Sequence, residues 1–315
     1  VTIREIIVIT GPTAVGKTDL AIYLARHLGG EIISADSMQI YRYLDIGTAK
    51  PGPPERKMAP HHLIDQVDPR ETYSAGDFQR EARIKLDQII KKKKQPLIVG
   101  GTGLYLQALL QGLPPAFEAR DPALREKLRR LAEREGRQTL HNKLRQCDPE
   151  LATRIHPHDI QRVIRGLEVF KVKGKPLSQL QKEAVSDKLP YPVLGYVLYR
   201  PREELYEMID LRVDKMVEAG LEEEVRYLIQ KGCNLNHTSM QGLGYREFFF
   251  FFQGFLSREE TIRLIKRNSR RYAKRQLTWF RNKFDFTWIR VQDQPGFFPS
   301  ILEKIKDDRH SLRRQ

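Results

Sequence analysis

Cysteine is nearly absent from this chain of 315 residues: only Cys147 and Cys233 occur. Neither belongs to a CxxC pair. That argues against a zinc module or a disulfide framework and points to a reducing, cytoplasmic setting. Long apolar runs are missing as well. No stretch approaches the ~20 residues of a membrane-spanning helix, so no membrane partner is expected. Val1-Thr2-Ile3-Arg4-Glu5 carries no signal-peptide pattern. Acidic residues are missing at two informative places. Pro96-Leu97-Ile98-Val99 reads as a buried strand that runs into Gly100-Gly101-Thr102 without an Asp or Glu at its end. An acid there supports Mg²⁺ in many nucleoside triphosphatases, so its absence weakens a motor or switch ATPase reading. From Thr261 to Lys283 there are nine basic residues and no acidic one.

The formal net charge is +15. Such a balance favours a polyanionic partner, nucleic acid before anionic membrane. The charge is concentrated on the 261–283 segment, where Ile262, Ile265, Ala273, Leu277 and Trp279 supply a buried stripe. Arg270, Arg271 and Lys274 belong to its cationic face, which suits a phosphate backbone.

Gly11-Pro12-Thr13-Ala14-Val15-Gly16-Lys17-Thr18 is a complete phosphate-binding P-loop, set between the strand-like Ile6–Ile9 and a helix-like stretch from Asp19 to Leu28. Gly11, Thr13, Ala14, Val15 and Gly16 bring backbone N–H groups to phosphate oxygens. Lys17 neutralises charge, and the Thr18 hydroxyl can ligate Mg²⁺, the expected cofactor. The loop does not say whose phosphates they are.

Up to about residue 113, strand and helix signals alternate: Glu31–Ala35 as strand, Tyr73–Lys91 as helix with Phe78, Ala82, Leu86 and Ile89 on one face, Pro96–Val99 as strand, and Leu104–Leu110 as helix. This pattern gives an α/β fold, a P-loop NTPase-like core with a parallel sheet covered by helices. Charged helices without strands follow. Asp121-Pro122 and Asp148-Pro149 each read as an N-cap with proline at the first helical position. Val193–Tyr199 then rejoins the sheet. The core is expected over 1–115 and 191–300, an all-helical insertion domain over 116–190, and a basic tail over 301–315.

Ligands of such a fold gather at the carboxyl ends of the strands. Asp36 stands at one and can take a proton from a nucleophile, although turn aspartates are common. Gly100, Gly101 and Gly103 allow close backbone approach, and Thr102 adds a hydroxyl, but a plain glycine turn has the same composition. Asp45-Ile46-Gly47-Thr48-Ala49-Lys50-Pro51 is a lid or a surface loop. Adjacent His61 and His62 suit structure better than metal. Asp210 and Arg212 share a helix from Arg202 to Ala219, where Arg212 reaches a phosphate or forms a surface pair. Gln241-Gly242-Leu243-Gly244-Tyr245-Arg246 suits base stacking or a helix cap. Phe248–Phe252 reads as buried helix packing.

Taken in order, these motifs resemble the tRNA dimethylallyltransferase (tRNA isopentenyltransferase) family. The resemblance rests on the P-loop, Asp36-Ser37-Met38-Gln39-Ile40-Tyr41-Arg42, Asp45 to Pro51, His62-Leu63-Ile64-Asp65 and Gly100 to Tyr105. It continues through Arg154-Ile155-His156-Pro157, Gln161-Arg162, Gly242 to Arg246 and Arg275-Gln276-Leu277-Thr278-Trp279-Phe280. No Cys/His cluster follows, so the bacterial form is the one resembled. The resemblance implies transfer of a dimethylallyl group from dimethylallyl diphosphate to N6 of the adenosine beside the anticodon (position 37), in tRNAs reading codons that start with U. It implies Asp36 as base, Arg212 at the departing diphosphate and Thr102 in the reaction channel. It also implies tRNA contacts at Ser37, Met38, Gln39, Arg125, Gln161, Arg162, Arg165, Gly244, Tyr245 and Arg246. A monomer is expected. A P-loop small-molecule kinase, a nucleic-acid-binding ATPase and an adenylate isopentenyltransferase acting on free nucleotide are the alternatives. The basic segments favour tRNA.

Overall fold

The computed structural model describes residues 5–112, 121–183 and 188–312. Its first compact unit comprises 1–107 and 190–315. Six strands form its sheet: β1 (Ile6–Thr10), β2 (Gly30–Ser34), β3 (His61–His62), β4 (Gln95–Gly100), β5 (Val193–Tyr199) and β6 (Thr287–Arg290). Their order is β3-β2-β4-β1-β5-β6, and each neighbouring pair is parallel. In register, Ile7 of β1 lies between Leu97 and Leu194. Ile6, Ile7, Val8 and Ile9 are all fully buried. A strand covered on both faces needs a continuous apolar run rather than alternation, and the sequence of β1 supplies it.

Helices α1 (Lys17–Leu28), α2 (Pro53–Met58), α3 (Ala75–Lys91) and α4 (Gly103–Gln111) follow the first strands. In α3 the four residues on the expected face, Phe78, Ala82, Leu86 and Ile89, are buried, and Ser74 with Asp77 forms a capping box at its start. The second unit, 108–189, begins within α4, earlier than the expected joint at 115/116. It contains α5 (Pro122–Glu135), α6 (Arg137–Cys147), α7 (Pro149–Arg154), α8 (Ile160–Lys173) and α9 (Leu177–Glu183). Asp121 and Asp148 cap α5 and α7 as their Asp-Pro pairs predict. Leu128, Leu140, Leu144, Val163, Ile164 and Val169 belong to the core of this unit.

Returning to the first unit, α10 (Arg202–Glu218), α11 (Leu221–Gln230), α12 (Tyr245–Phe252), α13 (Arg258–Lys283) and α14 (Phe297–Leu312) complete it. The sequence reading requires correction at this end. Residues 301–312 are no tail; they belong to α14, whose Ile301, Leu302 and Ile305 are buried in the sheet's core cluster with α1. These three apolar positions, with Phe297 one turn earlier, outweigh the basic residues between them. Residues 313–315 lie outside the described residues. Strands β3 and β6 also escape the reading, being two and four residues long. His62 hydrogen-bonds Glu31 through Nε2 at 2.7 Å, a structural role. Of the phenylalanine run, Phe248 is fully buried and the others are half-buried.

Candidate active site

The site is built from loops at the carboxyl ends of β1, β2 and β4, with α10 and α13 facing them. After β1 the chain turns at Gly11, where φ is +147°. A Cβ there would lie 2.5 Å from the Leu198 carbonyl oxygen, so only glycine fits. The loop then delivers Lys17 and Thr18 at the start of α1. Lys17 donates from Nζ to the Pro12 carbonyl at 2.7 Å. A cavity of ≈ 760 Å³ opens over residues 13–18; Asp36, Gly100, Gly101, Arg212, Tyr272 and Gln276 are among its other walls. A second cavity of ≈ 300 Å³ is lined in part by Ser37, Met38, Gly242, Leu243 and Arg275. Thr13, Asp36, Thr48, Arg212, Met216 and Tyr272 are walls of both.

Two cations and one carboxylate dominate the electrostatics. Burial is the largest cause that pulls the Lys17 ammonium down to about 7; the nearby Arg212 lowers it further and Asp36 opposes. Burial also lowers Arg212, again against Asp36. Among the described residues Arg212 makes one hydrogen bond, from Nη2 to the Thr48 carbonyl at 3.3 Å. Two desolvated cations that share Asp36 as their opposing carboxylate favour an incoming anion. An anion bound beside Lys17 raises its pKa, so binding takes up a proton above pH ~7. The expected result is that pyrophosphate titrated at pH 8 in two buffers of different ionisation enthalpy shows proton uptake, and that Lys17→Ala removes it. Equal observed heats in the two buffers would contradict the placement.

Asp36 follows β2. Its Oδ1 accepts from the Met38 amide at 2.9 Å and the Gln39 amide at 3.4 Å, an Asx turn. Among the described residues, Oδ2 has no hydrogen-bond partner. Thr102 lies beside the site, hydrogen-bonded to Tyr272, a wall of both cavities. Thr102 itself is not a wall of either cavity. Its Oγ1 accepts from the Ser37 amide at 3.0 Å and donates to Ser37 Oγ at 3.3 Å. Thr102 therefore holds the loop that carries Asp36. Tyr272 is a wall of both cavities; burial pushes its phenol up, Asp36 adds to this, and a hydrogen bond with Thr102 opposes it.

The glycines after β4 make room for protein rather than for a ligand. A Cβ on Gly101 would run into Gln276, and one on Gly103 into the Trp279 ring. Sequence reasoning also missed Glu224. Its carboxylate accepts from the amides of Asp45 (2.9 Å), Ile46 (2.8 Å) and Gly47 (3.1 Å), and from the Tyr245 hydroxyl (2.6 Å). It thereby fixes the 45–51 loop and the Thr48 carbonyl that Arg212 uses. No signal separates Glu224 from Glu222 and Glu223 beside it in sequence. Glu224→Ala should lower unfolding free energy by about 2 kcal/mol in urea titrations, because four donors lose one acceptor. Tyr245 needs correction as a stacking residue. It is fully buried, and Gly244 at φ 91° begins its helix with the amide bound to Glu247.

The IPP transferase family model matches residues 39–283. The tRNA dimethylallyltransferase of Lachnoclostridium phytofermentans is 45% identical over 303 residues, 96% of this chain and 97% of that protein. The chain belongs to the IPP transferase family. The tRNA dimethylallyltransferase of Bacillus subtilis is 48% identical over 286 residues, 91% of this chain and 90% of its own. Among solved structures, the full-length tRNA isopentenylpyrophosphate transferase of Bacillus halodurans matches with a TM-score of 0.72 and 40% identity, covering 99% of this chain and 100% of that one. A eukaryotic dimethylallyltransferase acting on tRNA matches with a TM-score of 0.83 and 33% identity, covering 98% and 80%.

In this IPP transferase the cations expected at RNA divide into paired and unpaired groups. Arg270 pairs with Asp210 at 2.5 Å, and Lys266 with Asp214 at 2.6 Å. The 261–283 segment lacks acids of its own, but α10 supplies them. Arg125 and Arg165 both close on the buried Glu168, at 2.7 and 2.6 Å. Arg267, Arg271 and Lys274 are exposed and make no ion pair among the described residues. Gln161 and Arg162 are exposed, Arg162 against Asp159 at 3.2 Å. Arg246 is exposed over the Phe250 ring.

Proposed function

We infer that this chain transfers the dimethylallyl group of dimethylallyl diphosphate to N6 of the adenosine beside the anticodon of tRNA, releasing pyrophosphate. The observation that carries this reading is Asp36 as a common wall of two cavities, the larger lined by Lys17, Thr18 and Arg212. The diphosphate occupies the larger cavity on the 13–18 loop. Leu211, Met216 and Ile46 give it apolar wall for the five-carbon chain. The adenine, extruded from its stack, enters the smaller cavity past Ser37, Met38 and Leu243.

The allylic C1–O bond breaks as the C1–N6 bond forms. Negative charge then grows on the departing diphosphate, where Lys17 and Arg212 stabilise it in a partly desolvated setting. The N6 lone pair is delocalised into the ring. Asp36 Oδ2 takes the N6 proton as the new bond forms, which restores a neutral amine. Mg²⁺ fits the donor set. Thr18 offers one hydroxyl, and no group of three His, Cys, Asp or Glu able to hold a metal exists among the described residues. Mg²⁺ suits a site where diphosphate oxygens and water supply most ligands. When bound it would neutralise charge on the leaving group.

The RNA lies along the exposed cations. Replacing Arg267, Arg271 and Lys274 together by glutamine should flatten the log–log salt slope of tRNA binding by about 2 units, at ~0.7–0.9 per lost phosphate contact. Arg270→Gln alone should change the slope little, because Asp210 already neutralises that side chain. Filter binding at several salt concentrations separates the two. No described helix is long and apolar enough to cross a membrane. A cytoplasmic setting follows from the tRNA substrate. Nucleoside analysis of unmodified tRNA, after incubation with enzyme, Mg²⁺ and labelled dimethylallyl diphosphate, tests the reading. Label in N6-(dimethylallyl)adenosine supports it, and label absent from nucleosides contradicts it.

A further inference from the structure

Lys17 rests on the Pro12 carbonyl, and the amide of the same peptide unit is held from the other side. Thr13 N–H donates to Gln276 Oε1 at 3.0 Å. Gln276 lies on α13 and is buried, with 6% of its surface exposed. Its Nε2 donates to the Gly101 carbonyl at 2.8 Å. The two bonds fix which end of the amide is which. One side chain thus ties the loop after β1 to the turn after β4, and it does so at the peptide that positions Lys17. A trans peptide points its C=O and N–H in opposite directions. Gln276 therefore sets the orientation of the Pro12 carbonyl, and with it the resting place of the ammonium.

Gly101 makes the arrangement sterically exclusive. A Cβ there would clash with Gln276 Nε2, while the Gly11 carbonyl oxygen would lie at 3.4 Å. The Gly101 backbone is outside the left-handed region, so alanine is tolerated in conformation and its methyl displaces Gln276.

We propose that Gln276 is a positioning residue for diphosphate binding, acting through the Pro12–Thr13 peptide on Lys17. The proposal rests on the donor reading above for the identity of the ligand. Loss of the side chain frees that peptide, so Lys17 meets the diphosphate without a preset geometry. The cationic residues Arg267, Arg271 and Lys274 are untouched, so tRNA binding should be spared.

The test uses the full chain with Gln276→Met, a near-isostere without the two hydrogen bonds, and Gly101→Ala, which displaces Gln276 without replacing it. Each should raise the Kd for Mg²⁺-pyrophosphate and the KM for dimethylallyl diphosphate about tenfold, with tRNA Kd within twofold. The double variant should also show about tenfold, since both changes break one linkage. Unchanged pyrophosphate affinity in Gln276→Met would overturn the proposal, as would a double variant near a hundredfold. If Gln276→Met fails to fold, Gly101→Ala alone decides: normal pyrophosphate affinity there refutes the role. A wild-type chain that binds pyrophosphate but transfers no dimethylallyl group sinks the donor reading while leaving this test standing.

Discussion

Lys17→Ala should lower the single-turnover rate of dimethylallyl transfer by at least ~10², even with donor at saturation. That corresponds to about 2.7 kcal/mol of transition-state stabilisation at ~1.36 kcal/mol per factor of ten. The argument starts from position. Lys17 stands at the first turn of α1, half-buried, in the cavity that Arg212 also lines. Water screens it poorly there, which is why burial and Arg212 bring its ammonium down to about 7. The diphosphate gains negative charge only as the C–O bond breaks, so the contribution grows between ground and transition states. Rate should suffer more than donor affinity. Rapid-quench measurements at saturating donor separate the two. A rate within threefold of wild type would show that Lys17 serves binding alone.

Asp36→Asn should lower the same rate by ~10²–10⁴ while leaving tRNA affinity within a few-fold. The substitution is informative because it spares the fold. Oδ1 of asparagine can still accept from the Met38 and Gln39 amides, so the Asx turn persists. What disappears is the second oxygen, which no described residue uses, and with it the ability to take the N6 proton. Asp36 also raises the Lys17 pKa, so its loss should move the proton uptake on pyrophosphate binding to lower pH. An unchanged chemical step would remove Asp36 from the mechanism, whatever happened to binding.

The parts legible in the sequence are those whose signal is local. A continuous apolar run announced β1, helical spacing announced the buried face of α3, and Asp-Pro pairs announced the starts of α5 and α7. The P-loop was legible because its glycines and its lysine act within eight residues. The place of Asp36 just past a strand end was legible, since a short apolar run leads into it. The remainder depends on partners far along the chain. Gln276 meets Thr13 across 263 positions, and Glu224 meets Ile46 across 178. The basic helix gave no hint that Asp210 and Asp214 of α10 would neutralise part of its face. Tyr245 read as a stacking residue because a tyrosine between glycine and arginine suits RNA as well as it suits a buried hydroxyl bonded to Glu224. Residues 301–312 read as a tail because their charges obscured the apolar positions that pack on α1.

The most direct measurement of the central claim runs the wild-type chain with Mg²⁺ and unmodified tRNA, giving it dimethylallyl diphosphate in one reaction and ATP in the other. Pyrophosphate release and modified nucleoside are quantified in both. The account predicts one pyrophosphate per N6-(dimethylallyl)adenosine with the prenyl donor, and no transfer with ATP. Phosphoryl transfer from ATP to an acceptor, with no prenylated nucleoside in either reaction, would contradict it.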